Sequence, residues 1–237
     1  MPDPDGQTLL IGSHNGLFTV DVSSGAVAGP IGEQSIDLMG LAAADGALIA
    51  SGHPGSAGAQ QLRGPNVGLI RSDDEGESWE AVSLDGLADF HALAYDPEAR
   101  SIIGAHAGQI LLSDDMGATW REGAAVDPYD LLATDRGLLM TSVAGLASSP
   151  DGGESFQQVE GAPAVVLLAA TEDTVIGVDL EGTLWRSGPD GQWAAEGAAP
   201  GQVFALAALS SGDVIVSTES GLQRTSDLGQ SWQPLIP

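Results

Sequence analysis

Apolar positions along the chain fall into short runs separated by clusters of glycine, aspartate, asparagine and serine. Six runs share one outline: TLLIGSH, ALIASGH, SIIGAH, LLMTSV, TVIGVD and DVIVSTE. All are rich in β-branched or small residues and are too short for a helical period to develop, so they predict strands. A second set, DLMGLAA, DFHALAY, YDLLAT, VVLLAA and VFALAAL, stands ahead of five of them. The first run is preceded only by MPDPDG.

A polar stretch recurs behind these strand pairs. It reads SDDEGESW from Ser72, SDDMGATW from Ser113, SPDGGESF from Ser149, a shortened SGPDGQW from Ser187 and TSDLGQSW from Thr225. Successive starts are 41, 36, 38 and 38 residues apart, the spacing of four-stranded propeller blades. Its core is Ser/Thr-x-Asp-x-Gly-x-Ser/Thr-aromatic. The aspartate (Asp74, Asp115, Asp151, Asp227) is suited to accept backbone N–H groups within its own turn, and the glycine (Gly76, Gly117, Gly153, Gly229) tolerates positive φ. The aromatic (Trp79, Trp120, Phe156, Trp232) is expected to fold back beneath the turn as its anchor. VDVSSGAV occupies the corresponding place in the first unit, a decayed copy.

This pattern resembles the Asp-box, or BNR, repeat of sialidase-like β-propellers over nearly the whole chain. The expectation is an all-β, six-bladed propeller in a single domain, with blades at roughly 1–34, 35–87, 88–127, 128–163, 164–200 and 201–237 and the first blade lacking its innermost strand. In that family the boxes lie on the face away from the ligand, so their aspartates are read as structural. The missing strand suggests that the chain starts inside a domain whose upstream part was removed. The insertion HPGSAGAQQLRGPNV, His53 to Val67, is the one long loop and so a place for function.

Composition narrows the partners. The 237 residues carry 33 acidic side chains against seven arginines and no lysine, a net charge of -26. Nucleic acid and anionic membrane surfaces both require cationic side chains and are excluded as partners on this ground. No apolar run is long enough to span a bilayer, and MPDPDGQTLL has neither the basic nor the apolar region of a signal peptide. No cysteine is present, so no disulfide framework exists. Strong charge favours a monomer.

Sialidase-like resemblance implies an arginine triad, a tyrosine nucleophile with a glutamate, and an aspartic acid. These parts are not evident. Arg71, Arg121, Arg186 and Arg224 lie at the boxes, Arg100 and Arg136 in turns on the same side, and only Arg63 is left. Tyr129 starts an inner strand without an arginine cluster near it. No catalytic residue is therefore assigned, although carboxylates such as Asp89 and Asp130 keep a glycoside hydrolase as an alternative.

The four histidines are more informative. His14, His53 and His106 end the second strands of three consecutive blades, while Met39, His91 and Asp130 align near the starts of inner strands. In an antiparallel blade those two places share the face opposite the boxes. His14, Met39, His53 and His91 are thus the candidate metal ligands, with His106 the weakest member of the group. Imidazoles with a thioether suit copper, and without the methionine zinc. The runs GSHNGLF, ASGHP, GLIRSDDEGESW and DFHAL further resemble a bacterial group of short Asp-box propellers often catalogued as glycosyl hydrolases, which implies an exported protein with no assigned catalytic residues. The expected location is extracytoplasmic, or cytoplasmic if Met1 is the true start. The preferred reading is a non-catalytic propeller binding a small ligand, metal ion or protein partner at the channel mouth. A protein-interaction scaffold is the third reading.

Overall fold

The computed structural model describes residues 1–3, 5–33, 35–55, 64–171, 174–188 and 190–236. The middle of the long loop, 56–63, and with it Arg63, lies outside the described residues. The fold is an all-β propeller of six blades, each an antiparallel sheet whose strands follow in chain order. No helix long and apolar enough to cross a membrane occurs among the described residues.

Blade 1 has three strands, β1 (Thr8–Ser13), β2 (Gly16–Asp21) and β3 (Val27–Ala28). Blade 2 comprises β4 (Ile36–Ala44), β5 (Ala47–Pro54), β6 (Leu69–Ser72) and β7 (Glu80–Ser83). Blade 3 comprises β8 (Ala92–Asp96), β9 (Ser101–His106), β10 (Gln109–Ser113) and β11 (Arg121–Glu122). Blade 4 comprises β12 (Asp130–Thr134), β13 (Gly137–Ser142), β14 (Gly145–Ser149) and β15 (Gln157–Gln158). Blade 5 comprises β16 (Val165–Ala170), β17 (Val175–Asp179), β18 (Thr183–Ser187) and β19 (Trp193–Ala198). Blade 6 comprises β20 (Val203–Ala208), β21 (Val214–Thr218), β22 (Gly221–Thr225) and β23 (Gln233–Ile236). The first blade thus has no full innermost strand; Met1–Asp3 stands in for part of one, pairing with β1 through Pro2 opposite Leu9.

The apolar runs are most continuous in β5, β9 and β21, which bury both faces, as strands covered on two sides do. Adjacent Ile102 and Ile103 of β9 are both buried, yet they belong to different clusters. Ile102 packs with Ile49, Leu69 and Phe90 toward blade 2, and Ile103 with Leu131 and Leu138 toward blade 4. In β21, Val214 and Val216 face blade 5 while Ile215 faces blade 1. The core is therefore a ring of interblade clusters, each about one strand face deep per blade.

The repeated polar turns join the third and fourth strands, and four copies have one geometry. Ser113 Oγ donates to Asp115 Oδ1 at 2.9 Å and accepts the Gly117 N–H at 2.8 Å. Asp115 accepts the Thr119 N–H at 2.8 Å and the Thr119 hydroxyl at 2.6 Å. The same bonds recur around Asp74, Asp151 and Asp227. In the first unit Asp21 keeps a reduced set, accepting Ser23 and Ser24 hydroxyls and the Ser24 N–H.

The aromatic does more than anchor its own hairpin, because it reaches the preceding blade. Trp120 Nε1 donates to Ser83 Oγ of blade 2 at 2.8 Å and its ring lies 5.1 Å from that of Phe90. Trp232 Nε1 donates to the Ala198 carbonyl of blade 5 at 2.7 Å. The turn glycine has the same neighbour: a Cβ on Gly117 (φ +90) would lie 2.0 Å from Leu69 Cδ2. Each turn is a rivet between blades, a role the local pattern does not disclose.

Two outcomes follow. Gly117→Ala, which combines positive φ with a clash against the fully buried Leu69, is expected to cost about 3 kcal/mol in urea unfolding. Gly108→Ala, also at positive φ (+78) but with open space around it, should cost about 1 kcal/mol. Secondly, hydroxyl and N–H donors hold the Asp151 and Asp227 carboxyls down at about 2. A depressed folded pKa contributes stability above the unfolded value that is lost as pH falls through the folded one. The Tm deficit of Asp151→Ala at pH 7 should therefore shrink as pH is lowered from 4 to 2, followed by circular dichroism.

Candidate functional site

The segment joining β7 to β8 is fixed by burial. Phe90 is fully buried, and its N–H donates to the equally buried Ser51 Oγ of β5 at 2.9 Å. With Phe90 pinned, its neighbours Asp89 and His91 meet side by side at the bend ahead of β8. The Asp89 N–H donates to His106 Nδ1 at 3.3 Å, tying it to the end of β9. Across the blade boundary, β5 passes Gly52 (φ +149) two residues before its end, where a Cβ would lie 1.9 Å from the Asp37 carbonyl oxygen. Only glycine brings β5 this close to β4, and His53 follows directly.

These constraints assemble His53, Asp89 and His91. Asp89 Oδ2 lies 2.9 Å from His91 Nε2 and 3.3 Å from His53 Nε2. One potential ligand atom from each of the three residues lies within 4.8 Å of the other two. His53 Nδ1 is 3.0 Å from the Pro65 carbonyl. Donation to that carbonyl places the proton on Nδ1 and leaves the Nε2 lone pair facing the carboxylate, the second-sphere arrangement of metal-binding imidazoles. Asp89 Oδ1 is buried with no hydrogen-bond partner. The carboxylate side chain is 15% exposed and the two imidazoles 38% and 63%, so the group is a half-open pocket at the surface. Two nitrogens and one oxygen with free positions beyond them can hold a divalent transition metal.

Of the four ligands expected from sequence, the structure joins His53 and His91. His14 is held by Asp37, Nδ1 to Oδ1 at 2.7 Å, and is 78% exposed. Met39 lies in a neighbouring cleft of about 620 Å³, which His14, His91, Asp130 and Phe204 also line. Asp89 entered the sequence reading only as a catalytic carboxylate; the alternation Asp89-Phe90-His91 was the signal for its place beside the histidines. His106, ranked weakest, positions the Asp89 backbone and stacks edge-on against Phe90.

Asp130 is engaged differently. Its Oδ1 accepts the Leu131 N–H at 2.9 Å, and its Oδ2 accepts the Leu168 N–H of blade 5 at 2.8 Å. Both oxygens thus clamp adjacent inner strands. Desolvation outweighs these bonds and pushes its carboxyl up to about 6. Tyr129, beside it, is exposed.

The six-bladed propeller is the class this geometry defines. No protein-family model and no curated protein sequence matches the chain. Among solved structures it is similar to an ancestral GH74 enzyme, at 13% identity and TM-score 0.62 over 99% of this chain and 38% of that one. It is also similar to a chain of a nidogen/laminin complex, at 13% identity and TM-score 0.71, covering 96% and 93% of the two chains. For streptogramin B lyase the values are 15% and 0.63 over 100% and 82%. The chain spans about two fifths of the GH74 enzyme's length. At these identities the likeness shows a fold shared with enzymes among others.

An acid with a raised folded pKa binds protons more tightly folded than unfolded, so its contribution falls as pH rises from the ordinary carboxylate value toward 6. Relative to Asp130→Asn, the wild type should lose up to about 3 kcal/mol between pH 4 and 7. Urea unfolding of both proteins across that range measures the difference. Parallel curves would show that the carboxyl titrates normally.

Proposed function

We propose that the protein is a binding propeller that holds one divalent transition-metal ion at the channel-mouth face, with His53 Nε2, His91 Nε2 and the Asp89 carboxylate as ligands. The observation that carries this is the Asp89 carboxylate itself, with one oxygen between two imidazoles and the other buried and orphaned. A cation among these three residues would neutralise the carboxylate and engage the His53 lone pair together. Imidazole with carboxylate suits zinc and divalent copper, and Met39, which lines the neighbouring cleft together with His91, keeps the thioether argument for copper. The aspartate turns support placing the chain among Asp-box propellers. A two-carboxylate glycosidase has less support, because both Asp130 oxygens are engaged by backbone N–H groups and Asp89 is committed to imidazoles.

Calorimetry and metal analysis with zinc and copper test the reading. Binding near one equivalent is expected for wild type and for His14→Ala, whose residue lies outside the trio. The double variant His53→Ala, His91→Ala should lose it, and Asp89→Asn should weaken it about 10- to 100-fold. Absence of saturable binding by folded wild-type protein would reject the proposal, as would undiminished binding by the double variant.

A further inference from the structure

Two neighbouring hairpin tips on the face opposite the aspartate turns carry apolar residues where turn formers belong. The β13–β14 hairpin turns at Val143 and Ala144, both exposed, Val143 by 88%. A valine there serves neither a tight turn nor a core. The β17–β18 hairpin of the next blade turns at Leu180, 84% exposed. Facing these tips, the chain enters the inner strands through exposed Tyr129 and Ala164, which the strand register carries to places beside Ser142 and Leu180. In blades 1, 3 and 6 the same tips read His14-Asn15, Ala107-Gly108 and Glu219-Ser220.

Both apolar tips are held in place. Ser142 Oγ accepts the Ala144 N–H at 3.2 Å. Asp179 accepts the N–H groups of Glu181 and Thr183 at 3.1 and 2.8 Å and the Trp185 indole N–H at 2.8 Å. The two blades are also tied to each other at this end. The Tyr129 N–H donates to the Thr141 carbonyl at 2.8 Å, and the Thr141 hydroxyl donates to the Val166 carbonyl of blade 5 at 2.7 Å. Exposed apolar side chains bunched in this way mark an interaction site, and one already fixed loses little order when it is covered.

Charge selects what covers it. Asp127 lies two residues before Tyr129, Glu181 follows Leu180, and Glu160 follows Val159, whose N–H donates to the Leu146 carbonyl at the start of β14. All three acids are exposed, while the six described arginines pair with other carboxylates. A second copy of the chain would bring the same acids and a net charge of -26 against them. We infer that the surface of Tyr129, Val143 and Leu180 docks a basic segment of another protein, whose apolar side chains cover these three residues and whose lysines or arginines meet Asp127, Glu160 and Glu181. This surface belongs to blades 4 and 5, apart from His53, Asp89 and His91 at blades 2 and 3, and docking there needs no metal.

A random peptide library displayed on phage tests this, selected on wild-type protein with chelator present and counter-selected on the double variant Val143→Ser, Leu180→Ser. Serine suits both exposed turns, so the variant should keep the wild-type circular dichroism and Tm. Selected sequences should combine lysine or arginine with leucine, valine or aromatic residues. A synthetic peptide of that kind should bind wild type one-to-one by anisotropy and bind the double variant about tenfold or more weakly. Its salt dependence should flatten in the triple variant Asp127→Asn, Glu160→Gln, Glu181→Gln. No enrichment over the double variant, or enrichment of sequences without basic residues, would overturn the inference. A wild-type dimer in sedimentation that the double variant abolishes would overturn it too, making a second copy the occupant.

Discussion

Both faces of the second strands β5, β9 and β21 are buried, and the rest of the molecule depends on that. A strand of alternating character would leave one face wet, but β5, β9 and β21 are apolar at consecutive positions and need a neighbour on each side. A closed ring supplies two neighbours to every blade. The aspartate turns then make the packing specific, because the glycine that permits the turn also lets it sit against the blade before: Leu17 for Gly76, Leu69 for Gly117, Leu112 for Gly153 and the Gly197–Ala198 backbone for Gly229. The turn is locally self-sufficient in hydrogen bonds, whereas its value to the fold lies between blades, one sheet gripping another.

The blade count, the strand order and the deficit in the first blade were legible because they are properties of spacing. What the turns grip was not, since Trp120 and Ser83 are 37 positions apart and nothing in SDDMGATW names its partner. The grouping of His53, Asp89 and His91 was half legible. His53 and His91 stood out by alignment, but that alignment also equated Met39, His91 and Asp130, and strand register separates them. A bulge between Leu38 and Gly40 falls at Met39, and Asp130 pairs with Thr141, two residues before the counterpart of His106. Asp130 therefore sits one hydrogen-bonded pair deeper, where it clamps strands. A bulge adds one unpaired residue to a strand, which an alignment by residue type does not register.

Electrostatics explains why such a trio can persist on so acidic a protein. A lysine or arginine beside Asp89 would take its free oxygen and close the site to any metal. The chain has no lysine, and its described arginines are spent on carboxylates: Arg71 on Asp73, Arg100 on Asp45, Arg121 on Asp114 and Glu154, Arg136 on Asp135, Arg186 on Glu196 and Arg224 on Asp213. These pairs lie in or near the turns and outer strands. Among the described residues, imidazoles are the nitrogen side chains left for the opposite face, and a neutral imidazole nitrogen is a metal ligand. The surrounding negative charge acts in the same direction, since it raises the local concentration of cations and lowers that of anions. The proposed divalent cation would thus meet on this face a negative field, with the described arginines already paired elsewhere.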